Sequence, residues 1–156
     1  MNDSSEYQVI LNPLFRTQKF AVLSTCFNEQ PYSNLVAFVS SENLKQMAFV
    51  TNKKTRKYDN IQRNSRVAML IDNRKNKSSD LSSAFAVTAI GVAKELNGAD
   101  RKKLSKIYIA KHPSLSEFLN DPESVMIRIE ISEYFIAGFN KSQRYSLEIN
   151  RLKDLP

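Results

Sequence analysis

Three glycines in a chain of 156 residues, Gly91, Gly98 and Gly138, restrict this sequence more than any other feature. A dinucleotide fingerprint crowds its glycines into one turn so that backbone can approach a pyrophosphate, and a P-loop sets two glycines close together ahead of a lysine. The nearest pair here is seven positions apart, so neither motif can be written. An RRM-type signature fails for the same reason. Any phosphate this chain holds must be gripped by side chains and helix ends.

Two further scarcities narrow the chemistry. Cys26 is the only cysteine and His112 the only histidine, which removes intrachain disulfides, cysteine zinc sites and His-rich metal sites. No apolar run approaches the ~18 residues of a membrane span. The polar, acidic start from Met1 to Glu6 is unlike a secretory leader. The expectation is a soluble, cytoplasmic protein forming one domain over residues 1–156.

Charge is concentrated rather than spread. Between Lys53 and Lys77 there are nine basic residues and two acidic ones, Asp59 and Asp72, so this segment carries the entire net charge of +7. A nucleic-acid binder would distribute its cations over a face built from several elements. A focused cluster points instead to a local anionic ligand, with an acidic partner surface as the rival reading.

Hydrophobic periodicity predicts a mainly β chain. Residues 6–15 have helical spacing, with Pro13 expected to kink or end the helix. Strands are predicted over Phe20–Cys26, Tyr32–Val39 and Gln46–Thr51 as an antiparallel meander, then over Val67–Ile71 and Ala84–Ala93, the last bent at Gly91. Later runs at Val125–Ile131, Tyr134–Phe139 and Tyr145–Ile149 complete the set, and Asn73–Ser83 reads as a loop. Thr55–Asn64 reads as a short helix with Thr55 as its N-cap and an Asp59–Arg63 pair. Ala99–Lys111 reads as an amphipathic helix, with Leu104, Ile107, Tyr108 and Ile109 inward and Arg101, Lys102, Lys103 and Lys106 outward. A helical turn follows around Leu115–Leu119. Closing the strands on themselves into a barrel solves the edge problem in a small domain.

The chemistry-bearing constellation is the junction Thr51-Asn52-Lys53-Lys54-Thr55-Arg56-Lys57. A helix N-terminus offers free amides and a positive dipole, Thr55 a hydroxyl, Arg56 a planar fork and Lys57 a point charge. The bland alternative is a solvated basic helix start. Cys26 reads as a buried core thiol and His112, before Pro113, as a partner for a helix C-terminus. No nucleophile elbow or metal set is present, which suits a protein whose chemistry is delegated to a phosphorylated cofactor.

The order and spacing of Phe20-Ala21-Val22-Leu23-Ser24-Thr25, Pro31-Tyr32-Ser33-Asn34-Leu35-Val36-Ala37-Phe38, Phe49-Val50-Thr51-Asn52, Thr55-Arg56-Lys57 and Val67–Asp72 resemble the pyridoxamine 5'-phosphate oxidase-like superfamily. Asp72-Asn73-Arg74, Asp80 and Ala86–Ala93 are similar to its continuation. The resemblance implies a six- to seven-stranded antiparallel split β-barrel of Greek-key type with short flanking helices, which binds FMN as a homodimer. It implies that Ser33, Asn34, Leu35, Val36 and Ala37 run beside the isoalloxazine. Val50, Thr51 and Asn52 would line the flavin and its ribityl chain, and Thr55, Arg56 and Lys57 would grip the phosphate. Asn73 and Arg74 would reach the cofactor from the partner subunit. Relatives also use haem or a deazaflavin. The usual glycine of the first hairpin is replaced here by Asn28-Glu29-Gln30, and the C-terminal Trp, Arg and His signature of vitamin B6 oxidation is missing, since the chain has no Trp.

The reading that results is an FMN-dependent oxidoreductase passing hydride or electrons between the flavin and a small-molecule donor or acceptor. A non-catalytic flavin or haem carrier is the alternative, and a basic interaction domain that docks nucleic acid or protein is the third, with nucleic acid and membrane disfavoured as partners.

Overall fold

The computed structural model describes residues 3–146. Seven strands form one antiparallel sheet: β1 (Phe20–Phe27), β2 (Gln30–Ser40), β3 (Gln46–Asn52), β4 (Arg66–Asp72), β5 (Phe85–Leu96), β6 (Ser124–Gly138) and β7 (Ser142–Ser146). Their order is β3-β2-β1-β4-β5-β6-β7, and β3 also pairs with β6. That last pairing closes the first six strands into a barrel, and β4 returning beside β1 after the β1–β2–β3 meander is the Greek-key connection. The barrel therefore matches the expected fold class, with β7 hanging from the far half of β6.

Two expected strands, Val125–Ile131 and Tyr134–Phe139, are one. β6 runs unbroken through 15 residues, and its pairing to β5 slips between Ile90 and Gly91, where Ile90 faces Glu133 and Gly91 faces Ile131. The extra residue is Ser132, whose hydroxyl donates to the Ile90 carbonyl at 3.1 Å. A bulge of this kind bends a strand without ending it. Gly91 sits where a Cβ would lie 2.7 Å from Ile129 Cγ2 and run into the Glu130 carbonyl, so the bend needs glycine there. Of the last expected strand, residues 147–149 lie outside the described residues.

The barrel interior is filled by Leu23, Phe38, Phe49, Met69, Val87, Ile127 and Ile129, with helix α1 (Asp3–Thr17) plugging one end through Tyr7, Leu11, Leu14 and Phe15. Pro13 does not end α1, which runs on to Thr17. It lies on the exposed face of the helix, where water can take the carbonyl its ring leaves free. A mid-helix proline costs ~3 kcal/mol, whereas four buried side chains contribute roughly 1.5–3 kcal/mol each, so packing wins.

Outside the barrel, α4 (Gly98–Lys111), a 3-10 turn (Pro113–Leu115) and α5 (Ser116–Asn120) cover β3 and β6 over a second apolar cluster of Val39, Val50, Leu96, Tyr108, Leu119 and Met126. Leu104, Tyr108 and Ile109 face inward as expected, but Ile107 is exposed. Arg101, expected outside, reaches in and donates to the carbonyls of Leu119 (3.3 Å) and Ser124 (3.2 Å), tying α4 to α5 and β6. A short α3 (Asp80–Ser83) interrupts the expected 73–83 loop, because the Asp80 carboxylate accepts the amides of Lys75 (2.9 Å) and Lys77 (3.2 Å) and curls the chain.

Candidate functional site

The strand that ends at Asn52 turns directly into α2 (Arg56–Arg63). Asn52 drives the turn: its side-chain oxygen accepts the Lys54 amide at 2.8 Å, and its carbonyl accepts the Thr55 amide at 3.2 Å and the Thr55 hydroxyl at 2.8 Å. Thr55 holds the N-cap position, as the sequence suggests, but its hydroxyl does not cap. It bonds back to the strand and meets the Thr51 hydroxyl at 3.0 Å. The first bond of the helix is Asp59 N–H to Thr55 C=O at 3.2 Å, so the amides of Arg56, Lys57 and Tyr58 precede it and are free to meet an anion.

β2 and β3 pair only over Phe38–Ser40 and Met47–Phe49. Beyond that they part: Leu35–Ala37 stay with β1, while Val50–Asn52 stay with β6. A cleft of about 440 Å³ lies in this split. One wall is Leu35, Val36 and Ala37 and the other is Val50, Thr51 and Asn52, with Thr55 and Lys57 at the α2 end. Eight of the thirteen residues singled out in the sequence thus meet in one cleft. Phe20, Tyr108, Leu115 and Phe118 complete it, and nothing in their sequence context marks them. Helical spacing places Tyr108 on the inner face of α4 but cannot say that this face meets a split between strands 60 residues earlier.

The five others lie elsewhere. Ser33 is exposed further along β2, its hydroxyl 3.0 Å from that of Ser24. Asn34 donates to the Leu35 carbonyl at 3.2 Å, while its side-chain oxygen is a buried acceptor with no donor among the described residues. Arg56 stacks on Tyr32. The Asn73 side chain accepts the Phe85 amide at 2.8 Å, and Arg74 pairs with Asp72 at 3.3 Å beside a separate hollow of about 480 Å³ floored by Leu70, Phe85 and Phe139. Within one chain neither Asn73 nor Arg74 lines the cleft.

Electrostatically the cleft is simple. Its lining is apolar apart from Thr51, Asn52, Thr55, Tyr108 and Lys57, and Lys57 is the one charged side chain. Half-buried, Lys57 has no carboxylate within ion-pair distance among the described residues, and desolvation pushes its ammonium below the ordinary lysine value. A desolvated cation without a counter-ion is stabilised by any anion the cleft admits. Tyr108 is fully buried, and burial pushes its phenol up to about 12 against the opposing effect of the Val50 amide, so it is a neutral wall.

Cys26 and His112 stand apart from the cleft. Cys26 is half-buried rather than a core thiol, because it sits where β1 runs out toward the hairpin, and its carbonyl accepts from Asn64 at 2.9 Å. His112 does not act as a cation at the end of α4. Its ring is buried, bonded through Nε2 to the Phe38 carbonyl at 2.9 Å, and desolvation lowers its pKa, so it is a neutral donor that pins α4 to β2.

The family described as pyridoxamine 5'-phosphate oxidase matches residues 11–136. No curated protein matches the sequence. The fold is similar to that of general stress protein 26 from Bacillus anthracis str. Sterne, 20% identical, with 91% of this chain and 99% of that one covered and a TM-score of 0.71. It is similar to a heme binding protein from Mycobacterium smegmatis at 12% identity and TM-score 0.78, where 94% of this chain spans only 59% of the other. A FAD-binding protein from Mesorhizobium loti is 15% identical with a TM-score of 0.66, and 88% of this chain and 93% of that one are covered. At such identities the likeness is one of fold.

Proposed function

The chain belongs to the pyridoxamine 5'-phosphate oxidase family, and on that footing we propose that it is an FMN-binding flavoprotein acting as an oxidoreductase on a small molecule. The observation that carries this reading is Lys57, an unneutralised cation at the polar end of an otherwise apolar cleft, next to free helix amides. That arrangement suits a ligand with a flat apolar body and a dianionic tail. The ring system would lie between Leu35–Ala37 and Val50, the polar chain along Thr51 and Asn52, and the phosphate at Thr55, Arg56 and Lys57. When bound, FMN supplies the hydride and electron chemistry, which the protein's own side chains lack. The chain's part is to hold the ring, shield one of its faces with Tyr108, Leu115 and Phe118, and neutralise the tail.

FMN is favoured over haem by the donor set. The cleft lining contains no His, Cys or Met, and its single tyrosine is protonated to about pH 12, so it offers no ready axial ligand. A deazaflavin would use the same ring walls and phosphate grip. The purified protein is expected to be yellow and to take up FMN but not haemin. Replacing Arg56 and Lys57 together with Ala should weaken FMN binding by about 3 kcal/mol or more, roughly a hundredfold, since each charge-assisted bond contributes ~1.5–3 kcal/mol. A folded double mutant with unchanged affinity in a fluorescence titration would refute the assignment. Bleaching of the bound flavin by a nicotinamide donor would separate an enzyme from a carrier.

A further inference from the structure

Arg56 begins α2, yet its side chain does not line the cleft. Its guanidinium carbon lies 4.8 Å from the centre of the Tyr32 ring. No carboxylate among the described residues pairs with it. A guanidinium stacked on a ring face keeps its N–H donors, which lie in its own plane, available for an oxyanion. The ring beneath is itself fixed: half-buried Tyr32 faces Thr25 across the β1–β2 ladder, and Thr25 accepts from Asn60 of α2 at 2.9 Å. Hairpin, ring and helix therefore form one unit.

Resting on the FMN reading above, we infer that Tyr32 is a positioning residue for the phosphate. It holds Arg56 beside the first amides of α2 before the ligand arrives. A free arginine side chain loses much rotamer freedom when it binds, and freezing it beforehand removes that cost from the binding step. The role belongs to the tail of the ligand and not to its ring. The same helix carries an internal control. At its other end Arg63 stacks on Phe27, also at 4.8 Å, but is already bonded to Asp59 at 3.2 Å and lies two turns from the free amides.

The test measures the affinities of FMN and of riboflavin, which lacks the phosphate, for the wild-type protein and for Tyr32→Phe, Tyr32→Leu and Phe27→Leu. Tyr32→Leu should weaken FMN roughly two- to fivefold and leave riboflavin unchanged, the range expected for losing an exposed cation–π contact. Tyr32→Phe keeps the ring face and should retain wild-type preference, and Phe27→Leu should alter neither ligand. Equal affinity of the wild-type protein for FMN and riboflavin would remove the phosphate site itself, and this inference with it. A wild-type preference for FMN that survives in full in Tyr32→Leu would overturn the positioning role alone. So would parallel losses for both ligands in Tyr32→Leu and Phe27→Leu, which would reduce Tyr32 to a docking contact.

Discussion

At Glu29 the backbone takes φ 60°, and at Asn28 before it φ 49°. These two residues form the tip of the β1–β2 hairpin, where a two-residue turn with both φ values positive matches the twist of the strands. Asparagine tolerates that conformation, whereas glutamate is strained in it by ~1–2 kcal/mol. The hairpin thus takes the expected course without the expected glycine. Glu29→Gly should raise stability by about 0.5–1 kcal/mol, the relieved strain less the extra freedom glycine gives the unfolded chain. The urea midpoint should move up at constant m-value, and a midpoint that falls would show that the turn is not strained. Leu44, at φ 61°, is a different case. Its side chain is wholly buried and its carbonyl accepts the Tyr134 hydroxyl at 2.6 Å, so tertiary contacts hold the strain in place.

Helix α4 shows how an element is seated by its last residues. Lys111 donates to the Phe15 carbonyl of α1 at 2.7 Å and lies 4.0 Å over the Phe38 ring, while His112 bonds to the Phe38 carbonyl at 2.9 Å. One residue of β2 therefore receives both the last residue of α4 and the His112 cap that follows it, and through Tyr108 that helix walls the cleft. Burial, then the charges of Lys111 and Lys19, lower the His112 pKa against the opposing Phe38 bond. The folded value lies below the ordinary 6.5, so on acidification the unfolded chain binds its proton first. The stabilising contribution is complete above about pH 6.5 and is lost as pH falls below it. His112→Gln should flatten the dependence of the urea midpoint on pH between 7 and 5 relative to wild type. An identical slope in the two proteins would mean that other groups carry the acid sensitivity. Heavier loss of FMN affinity at low pH is expected to accompany the wild-type transition, because the α4 wall loosens with its anchor.

Across the whole molecule the two faces of the barrel wall are treated unequally. α4 and α5 cover the outside of β3, β6 and the Val39 end of β2, but on the rest of β2 and on β1, β4 and β5 an apolar band remains. Val22 faces Leu35 and Leu70, Leu70 faces Thr88, and Ala68 faces Ile90. Leu35 is 69% exposed and Val92 50%, whereas neighbouring inward residues such as Leu23 and Met69 are fully buried. A band of this kind is what an interface between copies covers, and we propose that it is the seam of the homodimer that the family resemblance implies. Ile90→Lys puts a cation on the band opposite Glu133, a cross-strand pairing the monomer tolerates. We expect the native mass in light scattering to shift from dimer to monomer with little change in far-UV circular dichroism. A wild-type protein that is monomeric at high concentration would remove the homodimer from the proposal.

What the amino-acid order determined by itself is what local physics can decide. β-leaning runs between turn-prone residues placed the strands, Thr55 and the Asp59–Arg63 pair placed α2, and the count of charges from Lys53 to Lys77 pointed to the corner where Lys57 stands. What only the tertiary structure decided depends on partners far along the chain. Pro13 remains helical because four neighbours bury their side chains in the barrel, and two expected strands become one because Ser132 bulges against Ile90. The cleft exists because β2 and β3 choose different partners beyond Phe38 and Phe49, and its third wall includes Tyr108 of a helix far later in the chain. Periodicity reports which face of an element is apolar. Which surface that face meets is set by long-range packing, since burial free energy depends on area removed from water and carries no record of sequence separation.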